Sequence, residues 1–322
     1  EAFTRDATFI AAVARTLMMT HGVEPDAKLT VNSWVERHAR NTPNAPAILQ
    51  GDRVVSYAED NDGIEVRFSD GAATRADLLI GADGVKSAVR AQMKGQVPAT
   101  YTGDAVWRLT IPIERIAEEL RLPKAMTLFL GPGGHGVFYY LRSGTILNFV
   151  GCVERPWEEE SWTSRKPWSE LSADYEGWHP MVRAPIEAAD KDQCFRWALN
   201  NRKPVMTWST ARVALLGDAV HATLPYMAQG AAMAIEDAAI LSRALALDAP
   251  LNERLSIYEK HRAPRAARVV NESTEMAELY HIADAGQMKQ AFKDRNIAAS
   301  RNNWLYPYNP WTVDIERPFE GV

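Results

Sequence analysis

A carboxylate and a helix start follow one another closely in the second half of the chain. The apolar stretch 213–216 predicts a short buried strand, which runs directly into Gly217 and Asp218. A short connection then leads to Gly230, where the pattern predicts a helix over 230–247. Asp218 can accept a hydrogen bond from a ligand hydroxyl, and the unpaired N–H groups of a helix start can bind negative charge. The stretch therefore predicts a cradle for a cofactor that carries hydroxyl and anionic groups.

A second stretch, LLIGADGVKSAVR at residues 78–90, has the same arrangement of apolar strand, turn and helix. Asp83 and Gly84 occupy the turn, and Arg90 lies in a helix predicted over 87–93. Asp-Gly is also an ordinary turn dipeptide. The residues alone leave functional and structural roles open for both Asp83 and Arg90.

The two motifs, GADGxxSxxR at 81–90 and GDAxHxxxP followed by QGAxxAIEDA at 217–238, resemble those of class A FAD-dependent aromatic hydroxylases. The chain looks most similar to the branch of salicylate hydroxylase and 6-hydroxynicotinate 3-monooxygenase, over about residues 64–310. The resemblance implies an FAD-dependent monooxygenase that uses NAD(P)H and O2. Its implied substrate is a small aromatic or heteroaromatic hydroxy acid, and no protein nucleophile is needed because the flavin carries the chemistry.

The resemblance also implies roles for individual residues. In the family the Asp that matches Asp218 binds the ribityl chain of FAD. The helix start that matches Gly230 and Ala231 faces the pyrimidine edge of the flavin. The expected cofactor-binding residues are Asp83, Gly84, Arg90, Gly217, Asp218, Pro225, Gln229, Gly230 and Ala231. The candidate catalytic residues, beside the flavin, are His221, Pro225 and Tyr226. For His221 a structural role is at least as well supported, and Tyr226 either contacts substrate or packs.

The first 59 residues depart from the family pattern. The family begins with a βαβ unit whose GxGxxG loop holds the FAD pyrophosphate, and no GxGxxG occurs in this chain. Residues 29–59 instead resemble the start of AMP-forming acyl-CoA synthetases, without their catalytic residues. We interpret this segment as a fusion or a misjoined reading frame. An alternative function follows, because without the GxGxxG loop the chain could be an inactive flavin-free fragment or a binding protein for aromatic ligands.

Composition excludes several other classes of protein. A net charge of −5 without a basic stripe argues against nucleic-acid binding. Two cysteines and seven scattered histidines, with no paired ligand spacing, predict no metal site and a cytoplasmic protein. No stretch is long and apolar enough to predict a membrane span. The sequence leaves the oligomeric state, the substrate and the choice of NADH or NADPH open.

The pattern of elements predicts an α/β fold with an incomplete Rossmann-like FAD-binding domain. Residues 60–100 and 201–247 would form the FAD-binding part, 101–200 a β-sheet substrate part and 248–322 a helical C-terminal part. Three finer expectations are a strand at 78–80 buried on both faces, a helix over 115–122 and a packed aromatic tail at 304–308. Trp107, Tyr139 and Tyr140 are candidate walls of an aromatic pocket, with core packing as the alternative.

Overall fold

The computed structural model describes residues 54–158, 161, 163–296, 303–317 and 319, so the predictions for residues 1–53 lie outside the described residues. The strands are β1 (Val54–Glu59), β2 (Ile64–Phe68), β3 (Ala73–Ala76), β4 (Leu79–Gly81), β5 (Thr100–Pro112), β6 (Thr127–Gly131), β7 (Gly134–Leu141), β8 (Ile146–Glu154), β9 (Phe195–Asn201) and β10 (Val213–Leu215). The α-helices are α1 (Ala88–Lys94), α2 (Trp168–Asp174), α3 (Pro180–Glu187), α4 (Asp218–His221), α5 (Gly230–Leu245), α6 (Leu251–Tyr280) and α7 (Ala285–Arg295). None of these helices is long and apolar enough to cross a membrane.

The described chain divides into two compact units. Of the described residues, the first unit contains 54–98, 202–273 and those from 303 onward, and the second contains those within 99–201 and 274–296. Both units mix strands with helices, which confirms the expected α/β class. Helix α6 contributes residues to both units, because the boundary at 273/274 falls within it.

The first unit carries two small sheets. Strands β1, β2 and β3 form an antiparallel meander, and β4 pairs in parallel with β10. The expectation that 78–80 is buried on both faces is wrong, because Ile80 is 42% exposed. In the described part of the chain β4 has one strand neighbour, so the apolar run lies at a sheet edge.

A buried charged network joins the helices of the first unit. The Arg262 Nη1 lies 2.7 Å from the Glu236 carboxylate, and Arg265 forms a 2.8 Å ion pair with the same residue. Arg265 also donates to the backbone oxygens of Trp304 and Leu305, both of which are buried. The expected packing of the aromatic tail is therefore confirmed at these two residues.

The second unit is built on a five-stranded antiparallel sheet in the order β6-β7-β8-β5-β9. Alternate side chains of β5, including Trp107, Leu109 and Ile111, enter an apolar core together with residues of α2 and α3. The Trp107 ring is fully buried and donates through Nε1 to Asp174 at 2.7 Å, so this aromatic is a core residue rather than a pocket wall. Tyr140 likewise directs its hydroxyl to the Leu122 carbonyl at 2.6 Å.

The helix expected over 115–122 is wrong. The structure has two 3-10 turns there, at 113–115 and 118–120, with extended residues at Ile116 and Arg121. Pro112 precedes the first turn and Pro123 follows the second, and neither turn has a side-chain cap. Because Ile116 and Leu122 are buried in the core, packing holds the segment against the sheet and interrupts helical propagation.

Candidate functional site

Parallel pairing of β4 with β10 brings the two sequence motifs to the same end of the sheet, where both strands have their carboxyl ends. The Cα atoms of Leu79 and Val213 are partners, as are those of Gly81 and Leu215. The Leu216 N–H extends the pairing by donating to the Gly81 carbonyl at 3.0 Å. Because the strands run in the same direction, the turns that follow them leave the sheet at the carboxyl ends of the strands. In an open parallel sheet, ligands bind at these carboxyl ends.

Gly217 is required by the backbone at the second turn. Its φ of +64° and ψ of −143° belong to a region that is essentially restricted to glycine. A Cβ at this position would also lie 3.3 Å from the Cβ of Ala234 in α5. The start of α4 therefore packs directly on α5, and Ala234 is four residues, or about 6 Å, from Gly230 along the helix axis.

Asp218 begins α4, and its side chain is exposed. The close packing of Gly217 on Ala234 brings the backbone at the start of α4 against the second turn of α5. The pairing of the Asp218 carboxylate with the start of α5 on one ligand stays a prediction.

The start of α5 has uncapped N–H groups. Gln229 occupies the N-cap position without a side-chain cap bond, and its amide instead donates to the Met227 carbonyl at 3.4 Å. The first helical bond runs from the Met233 N–H to the Gln229 carbonyl, so the N–H groups of Gly230 and Ala231 precede the helical ladder. Among the described residues, a Cβ on Gly230 would meet Thr223, at an ordinary 3.7 Å. Packing within this part of the chain therefore does not require glycine at 230, whereas close approach of a ligand would.

His221 belongs to a buried hydrogen-bonded cluster. Its Nε2 lies 2.5 Å from Asp237 Oδ2, which also accepts from the Gly217 N–H at 3.0 Å. Arg262 donates to the other carboxylate oxygen at 2.8 Å. Burial alone would raise the pKa of Asp237, but the charges and hydrogen bonds of His221 and Arg262 lower it to about 2. The geometry favours the structural alternative for His221, which holds the Gly217 turn through Asp237.

Pro225 and Tyr226 start a 3-10 turn over Pro225–Met227. Pro225 is exposed, whereas Tyr226 is buried, which favours packing over substrate contact for the tyrosine. Ala228 follows in the left-handed conformation, with φ of +55°. An alanine there is strained, and such strain is concentrated at functional turns.

The carboxylate of Asp83 caps helix α1. It accepts hydrogen bonds from Ser87 Oγ at 2.5 Å, from the Ala88 N–H at 2.7 Å and from the Val89 N–H at 3.3 Å. Gly84 follows at φ of +76°, which only glycine adopts without strain. The capping contacts give Asp83 a structural task at the turn, in addition to its expected place beside the cofactor.

Arg90 shares the Val85 carbonyl with a second guanidinium, that of Arg202, which lies outside both motifs. Both Arg90 and Arg202 donate to the Val85 carbonyl, at 3.3 and 3.4 Å, and Arg202 also donates to the Val97 carbonyl. Burial lowers the pKa of Arg90, and the charge of Arg202 lowers it further. Two guanidinium groups that donate to the same carbonyl oxygen suit a bound anion. No motif marks Arg202, because it belongs to a loop far from residue 90 in sequence.

Comparison with known proteins identifies the family. The FAD binding domain family matches residues 27–273 of this chain. The chain is 33% identical over 270 residues to a 3-amino-4-hydroxybenzoate 2-monooxygenase of Streptomyces platensis, covering 82% of this chain and 67% of that protein. It is 37% identical over 233 residues to a 3-hydroxybenzoate 6-hydroxylase of Klebsiella oxytoca, covering 72% and 57%. It thus spans about two thirds of the first relative and less of the second.

A solved structure shares the architecture. A salicylate hydroxylase in a substrate complex superposes with a TM-score of 0.73 at 26% identity, over 88% of this chain and 74% of that one. Fold, motifs and relatives together define the class of the flavin-dependent aromatic monooxygenases, as the motifs predicted. The chain belongs to the FAD binding domain family, and FAD is the cofactor of that family.

Proposed function

We propose that this chain takes part in the FAD-dependent hydroxylation of a small aromatic or heteroaromatic hydroxy acid, with NAD(P)H and O2 as co-substrates. The proposal rests on the two motifs, which both follow the carboxyl ends of the paired strands β4 and β10. The relatives named above act on benzoates that bear a hydroxyl group. A substrate of the same kind suits this chain, because the fold and both motifs are shared.

The residues at these strand ends fit FAD. Gly217 requires glycine for its backbone and its packing, while Gly230 keeps a helix start open to close approach. Asp218 supplies an exposed carboxylate for the hydroxyls of the ribityl chain, and the N–H groups of Gly230 and Ala231 supply donors for an oxygen-rich ring edge. When bound, the flavin supplies the redox chemistry that activates O2 for transfer to the ring.

The chain's own task is to bind, orient and stabilise charge. The positive end of the α5 dipole would stabilise negative charge on a bound flavin whose ring faces it. The Asp237 carboxylate acts indirectly, because it holds the Gly217 N–H and the His221 ring together. Arg90 and Arg202 provide positive charge near the first motif, where it suits a phosphate or another anion.

The proposal is tested on the full purified chain after incubation with FAD and removal of free flavin. Retained flavin absorbance, bleached by NADH or NADPH, is expected. Addition of salicylate, 3-hydroxybenzoate or 6-hydroxynicotinate should then speed consumption of the reduced nucleotide and yield a product heavier by one oxygen atom by mass spectrometry. A folded protein that retains no flavin would support the alternative of a flavin-free fragment or binding protein.

The role of Asp218 has its own test. Asp218→Ala removes the carboxylate that would accept from the ribityl hydroxyls, so FAD binding should weaken at least tenfold. The matched control is Asp248→Ala, another exposed Asp, which follows α5 rather than preceding it. Flavin fluorescence quenching measures both affinities. Equal FAD affinity in the two variants would contradict the role given to Asp218, while leaving the family assignment intact.

A further inference from the structure

Two histidines and a cysteine of the second unit converge in a cluster that contains no residue of the flavin motifs. The potential ligand atoms of His135, Cys152 and His281 all lie within 4.8 Å of one another. His135 and Cys152 are buried, and the His281 side chain is 10% exposed. We propose that this cluster is a binding site for a divalent transition-metal ion of the Zn²⁺ class, held by His135 Nδ1, His281 Nε2 and Cys152 Sγ.

The sheet sets the spacing of two ligands. His135 of β7 and Cys152 of β8 are direct partners in the antiparallel register, so their side chains project from the same face. The Tyr175 hydroxyl contacts the carbonyl oxygens of both, at 3.0 and 3.4 Å. These contacts hold the backbone of the two ligands in place from one buried side chain, as a preformed site requires.

The third ligand comes from the residue after helix α6. His281 Nε2 lies 3.1 Å from His135 Nδ1. Two imidazole nitrogens bound to one tetrahedral zinc ion, with Zn–N bonds of about 2.0–2.1 Å, are about 3.3 Å apart. The two rings therefore already have almost the separation that a shared ion imposes, and the soft thiolate with two imidazoles suits zinc rather than magnesium or calcium.

Carboxylates support the outer nitrogen of the His281 ring. Its Nδ1 lies 3.1 Å from Glu154 Oε1 and 3.5 Å from Asp104 Oδ1. A carboxylate that accepts from one ring nitrogen orients the other toward a metal and raises its basicity, as is common in zinc sites. Nδ1 faces the carboxylates and Nε2 faces His135, which is the arrangement that metal binding needs.

A cavity borders the cluster at His281. A cavity of about 530 Å³ in the second unit is lined by residues that include Thr102, Asp104, Glu154, Arg155, Glu278 and His281. Two of the lining side chains are the carboxylates beside His281, so the entrance carries negative charge that attracts a cation. The three protein ligands leave a fourth tetrahedral position for water or another small donor.

The sequence predicted no metal site, because no two of the three ligands are close in the chain. Sequence motifs for zinc depend on short spacings such as paired cysteines or paired histidines. Here strand register and the end of a long helix assemble the cluster instead. A histidine–histidine hydrogen bond without a metal is the competing explanation, and the experiment below distinguishes the two.

The experiment loads the full chain with Zn²⁺, removes weakly bound ion by gel filtration against a mild chelator and measures metal by mass spectrometry. One zinc per chain is expected, with a higher melting temperature than the chelator-treated protein. Co²⁺ in place of zinc should give the charge-transfer absorbance of a cobalt–thiolate bond. Cys152→Ser should abolish that absorbance, and His281→Ala should lower zinc affinity at least tenfold.

Matched controls keep the outcome clear. Cys194→Ser changes the other buried cysteine, and His179→Ala changes an exposed histidine, so both should retain stoichiometric zinc. Glu154→Gln leaves the three ligands in place and should weaken zinc binding about tenfold or more by removing support from the His281 ring. Less than one zinc per chain in the wild type would overturn the proposal. So would a Cys152→Ser variant with the same zinc content and the same cobalt absorbance as the wild type. Either result would leave a plain imidazole–imidazole hydrogen bond.

Discussion

Asp237 is the residue on which the candidate flavin site depends most, although it makes no expected contact with the cofactor. One buried carboxylate accepts from the Gly217 backbone, from His221 and from Arg262. Removing one partner from such a buried cluster leaves the others without compensation, which is more costly than the cluster's net contribution to stability. At the scale of single residues, the site is therefore sensitive to substitution of the buried residues that support the Gly217 turn.

Asp237→Asn is expected to lower the free energy of unfolding by about 3–5 kcal/mol, since Arg262 and His221 lose a buried charged partner. Denaturant unfolding measures the loss, with Asp248→Asn as the exposed control.

The free energy of unfolding of the wild-type protein should also depend on pH through Asp237. The folded pKa of Asp237, about 2, lies below the ordinary value near 4, so its stabilisation is present above pH 4 and is lost as the pH falls toward 2. A pH-independent difference between wild type and Asp237→Asn over this range would contradict this account.

Ala228 gives a second prediction for a single residue. Its φ of +55° is costly for alanine and free for glycine, so Ala228→Gly should not destabilise the protein and should gain up to about 1 kcal/mol. Ala267→Gly, in the interior of α6, is the matched change in a normal helical position and should cost about 1 kcal/mol. Thermal unfolding compares the two variants. Equal destabilisation by both would show that residue 228 is not strained.

At the scale of elements, the junction of β10, α4 and α5 forms the core of the site. The strand ends at Leu215, the glycine turn directs α4 onto α5, and α5 begins with uncapped N–H groups. The three elements are close in sequence, so the motif that encodes them is readable without the fold. Their placement against β4 is not, because that pairing joins distant segments.

Gly217→Ala tests this junction. The new Cβ meets Ala234 at 3.3 Å in a backbone conformation restricted to glycine, so the variant should lose about 1–3 kcal/mol of stability and bind FAD more weakly. Gly177→Ala also has a positive φ, +77°, but no neighbouring atom within 4 Å, and it should leave FAD affinity unchanged. Denaturation and flavin titration of both variants separate backbone strain from the helix contact. Unchanged FAD binding in Gly217→Ala would contradict the importance of this packing.

At the scale of the whole molecule, each of the two candidate sites lies within a different unit. The flavin motifs belong entirely to the first unit, and the proposed metal cluster belongs entirely to the second. Each site can therefore be changed by mutation without altering residues of the other. Zinc binding and FAD binding should respond independently to the variants described above, which provides a further check on both proposals.

The sequence by itself determined the family, the cofactor and the positions of the two motifs, because each motif is a local strand–turn–helix unit with its own residue pattern. It also predicted the β-sheet within residues 101–200, since alternating apolar residues and glycine turns are local features. Only the tertiary structure decided that Asp237 supports the Gly217 turn, that Ile80 lies exposed and that His135, Cys152 and His281 converge. These features depend on strand register and helix packing between distant segments, which no local pattern encodes.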